Sequence, residues 1–153
     1  MIESLHSPHV GRVKALIGSK GAKERREQGL FVAEGVQCAR EALTSSHGPQ
    51  LKILYATENG LSKISELGLG SVEIVEVSEA VMKAMSDTVS PQGLISLCYK
   101  PESDLSELSA TGTSTFIYLH EIQDPGNAGT ILRTADAMGI SAVITSPDSV
   151  DMF

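Results

Sequence analysis

Tryptophan is absent and phenylalanine and tyrosine occur three times each, so aromatic residues make up only 4% of the 153-residue chain. So few rings leave little surface on which bases could stack. Cysteine is nearly as scarce. Cys38 and Cys98 stand far apart, and neither has a second cysteine or a histidine at ligand spacing, which argues against a zinc site and a disulfide framework. Both read as buried small hydrophobes in a reducing compartment. The four histidines, His6, His9, His47 and His120, form no ligand spacing either. No apolar run approaches the roughly 18 residues of a membrane span. The first 20 residues carry Arg12, Lys14 and Lys20 without an apolar block, so no signal peptide is indicated. These absences predict a soluble, cytoplasmic protein without a metal. What remains is a globular composition, 41% hydrophobic and 20% charged with 14 glycines and 6 prolines. A compact domain of this length buries roughly 68–70% of its unfolded surface.

The net charge of −7 argues against a nucleic-acid partner until it is divided along the chain. Residues 1–26 hold six basic residues (Arg12, Lys14, Lys20, Lys23, Arg25, Arg26) against Glu3 and Glu24, a net of +4, and the remainder carries −11. A basic segment on an acidic protein can bind phosphate where the whole molecule would not; the alternative is a solvated helix face and loop.

Hydrophobic spacing predicts alternating helices and strands. Val10, Val13, Ala15, Leu16 and Ile17 mark a short helix closed by Gly18 and Ser19. Lys20 to Gly29 has no apolar period and reads as a mobile basic loop. Strands are expected at 30–33, 51–56, 72–77 and 93–99, and helices after Glu34-Gly35, over 61–67, and after Ser78 as N-cap, with Val81, Met82 and Met85 buried. Such alternation implies an α/β layer sandwich over residues 1–99. Residues 100–113 are polar, with Pro101, Gly112 and five Ser/Thr, and read as a linker. A single βαβ unit follows over 114–153, from Thr115–Leu119 through a helix ending at Gly139 to Ala142–Thr145. Parallel strands this apolar need cover on both faces. The other strands of their sheet are therefore expected outside this sequence, in a longer chain of which this is an N-terminal portion or, alternatively, in a partner chain.

One constellation carries chemistry. Between strand and helix of that unit runs Gln123-Asp124-Pro125-Gly126-Asn127-Ala128-Gly129, followed one turn later by Arg133. Pro125 and Gly126 suit the centre of a type II turn, which would set Asn127 at the helix N-terminus. Gly129 would keep the first turn bare, so that free amides and the positive helix end face an anion. Arg133 offers a planar fork suited to phosphate. A purely structural account fits the same residues: Asn127 as N-cap, Gly129 as a packing contact to the strand, and Arg133 as a surface partner of Asp136. No G-x-G-x-x-G or G-x-x-x-x-G-K-S/T occurs.

The run Asn127-x-Gly129-x-x-x-Arg133-x-Ala135, preceded by Gln123-Asp124-Pro125-Gly126 and followed by Ala137-Met138-Gly139, resembles the first motif of the SpoU (TrmH-like) RNA ribose 2′-O-methyltransferases of the SPOUT superfamily. Arg25 or Arg26 followed by Phe31-Val32-Ala33-Glu34-Gly35 resembles that family's ribosomal-protein-like substrate-binding domain. The resemblance implies an RNA-binding domain at 1–99, a linker at 100–113, and at 114–153 the first part of a knotted methyltransferase domain whose cofactor and dimer motifs lie beyond Phe153. It implies methyl transfer from S-adenosylmethionine to a ribose 2′-hydroxyl, on ribosomal rather than transfer RNA, by a homodimer. Arg133 and Asn127 take the catalytic roles. Lys20, Lys23, Arg25, Arg26, Glu34 and Gly129 are the RNA-binding candidates, and no residue here holds the cofactor. These residues alone are expected to lack activity; the alternative is a non-catalytic RNA-binding module completed by a partner chain. A guanidinium with a pKa above about 12 is a poor base, so Arg133 is expected to clamp phosphate and stabilise the developing alkoxide. Glu121 is a weaker candidate for the same pocket.

Overall fold

A computed structural model describes residues 1–102, 105–108 and 114–153, which form two compact units, Met1–Pro101 with Phe153 and Glu102–Met152. The expected linker at 100–113 falls in large part outside the described residues.

The first unit is a mixed four-stranded sheet between helices. Its strands are β1 (Leu30–Glu34), β2 (Leu51–Ala56), β3 (Glu73–Glu76) and β4 (Leu94–Tyr99), in the order β1-β4-β2-β3. β4 runs antiparallel to β1 and β2, while β2 and β3 are parallel. The central strands are apolar on both sides, which demands cover on both faces. Ile53, Tyr55, Ile95 and Leu97 point to one side, where α1 (Pro8–Leu16) contributes Val10, Val13 and Leu16 and α5 (Glu79–Met85) contributes Val81, Met82 and Met85. Leu54, Ala56 and Leu94 point to the other, against Ala39 of α3 (Val36–Thr44) and Ile64. At roughly 1.5–3 kcal/mol for each large side chain buried, these two layers are the unit's main source of stability. Ser78 caps α5 as expected, accepting from the Val81 amide at 3.3 Å. The N-terminus adds an unforeseen bridge to the β3 edge, Ile2 donating to the Glu76 carbonyl at 2.7 Å and accepting from the Ser78 amide at 2.9 Å.

Three expectations for this unit are corrected. The basic stretch after residue 19 is not a loop: a 3-10 turn (Ser19–Gly21) leads into α2 (Ala22–Gln28), closed by Gly29 at φ 62°. Ala22-Lys23-Glu24-Arg25-Arg26-Glu27-Gln28 is made of good helix formers, with Lys23–Glu27 and Glu24–Gln28 paired one turn apart. The helix expected at 61–67 lies instead at α4 (Glu58–Ser62). Thr57 starts it by accepting from the Gly60 amide at 3.1 Å, and Gly60 presses so close to β4 that a Cβ there would lie 2.0 Å from the Gly93 carbonyl oxygen. Finally, Cys98 is buried but Cys38 is exposed, because α3 turns Ala39 to the sheet and Cys38 outward.

The second unit is a right-sized βαβ element: β5 (Phe116–Leu119), α6 (Pro125–Ala137) and β6 (Ala142–Thr145), with β5 and β6 parallel and Phe116 opposite Ala142. α6 buries the small side chains Ala128 and Ala135. Among the described residues no helix is long and apolar enough to cross a membrane.

Candidate functional site

The basic candidates of the first unit divide sharply. Lys20, Lys23 and Arg26 are exposed at the corner formed by the end of α1, the 3-10 turn and α2. Arg25, between them in sequence, is 5% exposed. Its Nη1 donates to the Leu16 carbonyl at 2.6 Å and the Gly18 carbonyl at 3.0 Å. A guanidinium bonded to the last carbonyl of a helix is well placed electrostatically, which gives Arg25 a structural task beside the RNA contact expected of it. The Lys23–Glu27 pair, 3.7 Å apart and largely exposed, is worth little and leaves Lys23 available.

Glu34, also expected among the RNA contacts, likewise has partners within the protein. Its half-buried carboxylate accepts from Ser86 Oγ at 2.5 Å, Thr88 Oγ1 at 2.6 Å and the Asp87 amide at 3.2 Å. It ties the segment before β4 to the end of β1, a structural task that uses its acceptor sites.

In the second unit the strand-to-helix passage is built differently from a type II turn. Asp124 is the N-cap and Pro125 the first helical residue, where a missing N–H costs nothing. Asp124 Oδ1 accepts from the Asn127 amide at 2.6 Å, and the Asp124 carbonyl from the Ala128 amide at 3.0 Å. The expected anion-receiving helix end is therefore occupied by the protein's own carboxylate, and Asn127 sits exposed in the first turn rather than as cap.

Arg133 is exposed and folds back along α6, as helical side chains do. Its Nη2 donates to Thr130 Oγ1 at 3.2 Å, and Thr130 Oγ1 donates to the Gly126 carbonyl at 2.9 Å. A Cβ on Gly129 would stand 3.3 Å from Arg133 Nη1. Gly129 thus clears room for the guanidinium, and neither a strand contact nor a pair with Asp136 describes this arrangement. Asn127 and Arg133 lie about 120° apart around the helix axis, and the backward reach of Arg133 narrows that separation.

The loops that follow β5 and β6 are stitched together by residues that patterning does not single out. Ser146, 7% exposed, donates its amide to the Leu119 carbonyl at 3.0 Å, and its hydroxyl accepts from the Glu121 amide at 2.8 Å. Gln123 Nε2 donates to the Asp148 carbonyl at 2.7 Å, and the Val150 amide to the Ile122 carbonyl at 2.7 Å. Glu121 itself holds φ at 50°, an uncommon conformation for a residue with a side chain. Thr130 and Ser146 look like ordinary polar residues in sequence; only their partners reveal them.

These direct bonds tie together the two loops at the ends of β5 and β6. Among the described residues no group of three or more His, Cys, Asp and Glu is placed to hold a metal. Burial pushes the Cys98 thiol up to about 11, and partial desolvation of the sulfur, with the carboxylates of Glu34 and Glu41 nearby, raises that of the exposed Cys38, so neither is a thiolate nucleophile at neutral pH.

Comparison with known proteins bears on both units. Residues 9–96 match the MRM3-like substrate binding domain, and residues 114–153 match the SpoU rRNA Methylase family. The chain is 34% identical over 131 residues to the 23S rRNA (guanosine(2553)-2′-O)-methyltransferase RlmP of Bacillus subtilis, covering 86% of this chain and 49% of that protein. It is 28% identical over 146 residues to the mitochondrial rRNA methyltransferase 3A of Danio rerio, covering 93% of this chain and 33% of that one. The AdoMet-bound rRNA methyltransferase from Sinorhizobium meliloti superposes with a TM-score of 0.82 at 30% identity, covering 99% of this chain and 56% of that chain. The chain thus spans between a third and about half of the length of these relatives.

Proposed function

The chain belongs to the SpoU rRNA methylase family, and from that premise we propose that it supplies the RNA-binding unit and part of the active site of a 23S rRNA ribose 2′-O-methyltransferase. Residues 1–99 are the RNA substrate domain in this reading, residues 100–113 a linker, and residues 114–153 the first part of the methyltransferase domain. S-adenosylmethionine supplies the methyl group, the active form is a homodimer, and the pocket for the cofactor is assigned to no residue of this chain.

A ribose 2′-hydroxyl is a weak nucleophile that must lose its proton as it attacks. Arg133 holds the phosphate beside the reacting nucleotide and stabilises the charge developing on the 2′-oxygen. The proton leaves through a phosphate oxygen or a water, because a guanidinium is a poor acceptor. Asn127 hydrogen-bonds the ribose. Lys20, Lys23 and Arg26 meet the RNA backbone through charge, a sequence-independent and salt-sensitive contact.

The observation that carries this reading is the guanidinium of Arg133 laid back over the bare Gly129 toward the first helical turn, where Asn127 lies. The test is transfer of tritiated methyl to a 23S rRNA transcript by the whole protein and by its Arg133→Ala variant. A loss of about 100-fold or more is expected, the scale seen when one charge-stabilising donor is removed; retained transfer removes Arg133 from the reaction. A transfer RNA substrate in parallel checks the choice of RNA.

A second reading rests on the two-stranded β5–β6 sheet with its single helix, since parallel sheets are covered on both faces. Here the chain is a non-catalytic RNA-binding module whose sheet a partner chain completes. RNA binding without methyl transfer by the whole protein would favour it.

A further inference from the structure

We propose that Arg25 is a positioning residue for RNA binding: buried, it draws the last turn of α1, the 3-10 turn and α2 into one rigid corner and so sets the stance of Lys20, Lys23 and Arg26 without touching RNA itself. The inference rests on the reading of that corner as the RNA contact.

A segment rich in lysine and arginine has no apolar side of its own to hold it against the sheet. The one side chain of α2 that is buried is Arg25. Its guanidinium answers the carbonyl of Leu16, the last residue of α1, where backbone acceptors lack partners within the helix and the dipole is negative, and the carbonyl of Gly18 at the start of the 3-10 turn. Gly21 is buried beside it, and a Cβ at that position would stand 2.6 Å from the Leu16 carbonyl oxygen and 2.7 Å from Arg25 Nη1. Gly21 has an ordinary φ of −76°, so what requires glycine there is the room taken up by the Leu16 carbonyl and the guanidinium bonded to it. Charge and space together lock the corner. Three exposed cations held in advance lose less freedom on binding than three on a mobile loop, which is the gain from preorganisation.

A direct contact and a positioning role differ in what a neutral substitution does. Removing one phosphate contact lowers the salt slope of RNA binding by about 1. In the full chain, Gly21→Ala changes no charge yet disturbs both the Leu16 carbonyl and the guanidinium bonded to it, so it is expected to lower the slope by about 2, as does Arg25→Met, because several contacts are weakened together. In a Lys20→Ala, Lys23→Ala, Arg26→Ala background neither substitution should have a further effect. The probe is a labelled transcript of the 23S rRNA helix that carries guanosine 2553, titrated from 50 to 200 mM salt. An Arg25→Met loss of about 1 that persists in the triple background, with Gly21→Ala neutral, would make Arg25 a direct contact and overturn the proposal. A triple variant that binds like the wild type would overturn the RNA reading beneath it, whatever Arg25 does. Should either substitution unfold the unit, arginine-specific modification of the wild type followed by mass spectrometry decides. Arg26 should be modified and shielded by RNA while Arg25 stays unreactive throughout; an Arg25 that reacts and is shielded refutes the idea.

Discussion

Replacing Glu34 by alanine separates a structural carboxylate from an RNA contact. Three donors converge on it, Ser86 Oγ, Thr88 Oγ1 and the Asp87 amide, at 2.5, 2.6 and 3.2 Å. A hydrogen bond to a charged group contributes roughly 1.5–3 kcal/mol when buried. The 86–88 segment is at the surface, and water replaces most of what the carboxylate supplied, so the summed loss shrinks to about 1–2 kcal/mol. For a cooperative unit of about 100 residues each kcal/mol shifts Tm by roughly 4–8 °C, which places the expected decrease at about 4–16 °C. Calorimetry of the full chain measures it, and amide hydrogen exchange should quicken at residues 86–90 before it does elsewhere in the unit. RNA binding should keep its salt slope, since no cation has been removed. An unchanged Tm together with a tenfold or greater loss of RNA affinity would refute this reasoning and return Glu34 to the binding surface.

Two further outcomes follow from single contacts. Gly129→Ala places a methyl 3.3 Å from a flexible guanidinium end rather than from backbone, so α6 should tolerate it and gain up to about 1 kcal/mol of helix propensity. In the whole protein, methyl transfer should fall as Arg133 is pushed aside; undiminished transfer would mean that the folded-back arginine is incidental. For the cysteines, iodoacetamide at pH 8 should alkylate the exposed Cys38 well before Cys98, whose thiol burial holds at about 11. Raising the pH toward 10 should speed the Cys38 reaction as more thiolate forms, and native protein modified first at Cys98 would contradict the assigned burial.

How far the chain could be read without coordinates depended on what each element buries. β2 and β4 are legible because they are apolar on both sides, and α5 because Ser78 and its Val81, Met82 and Met85 face follow ordinary capping and periodicity. α2 was illegible for the opposite reason. Its buried side chain is an arginine and the residue that precedes the helix a buried glycine, so no apolar period marks it. The start of α6 is ambiguous in sequence: Asp-Pro-Gly-Asn suits a type II turn and an Asp N-cap with Pro in the first turn equally well, and the hydrogen bond from the Asn127 amide to the Asp124 carboxylate decides between them. The same ambiguity bears on function. A free helix end would offer the amides of α6 to phosphate, whereas here Asp124 takes up the Asn127 amide, and the proposed function gives that task to Arg133, packed over Gly129. Residue types and spacing single out Asn127, Gly129 and Arg133 as candidates, but how the first turn of α6 presents them is set by a side chain, Asp124, whose part in the cap no periodicity records.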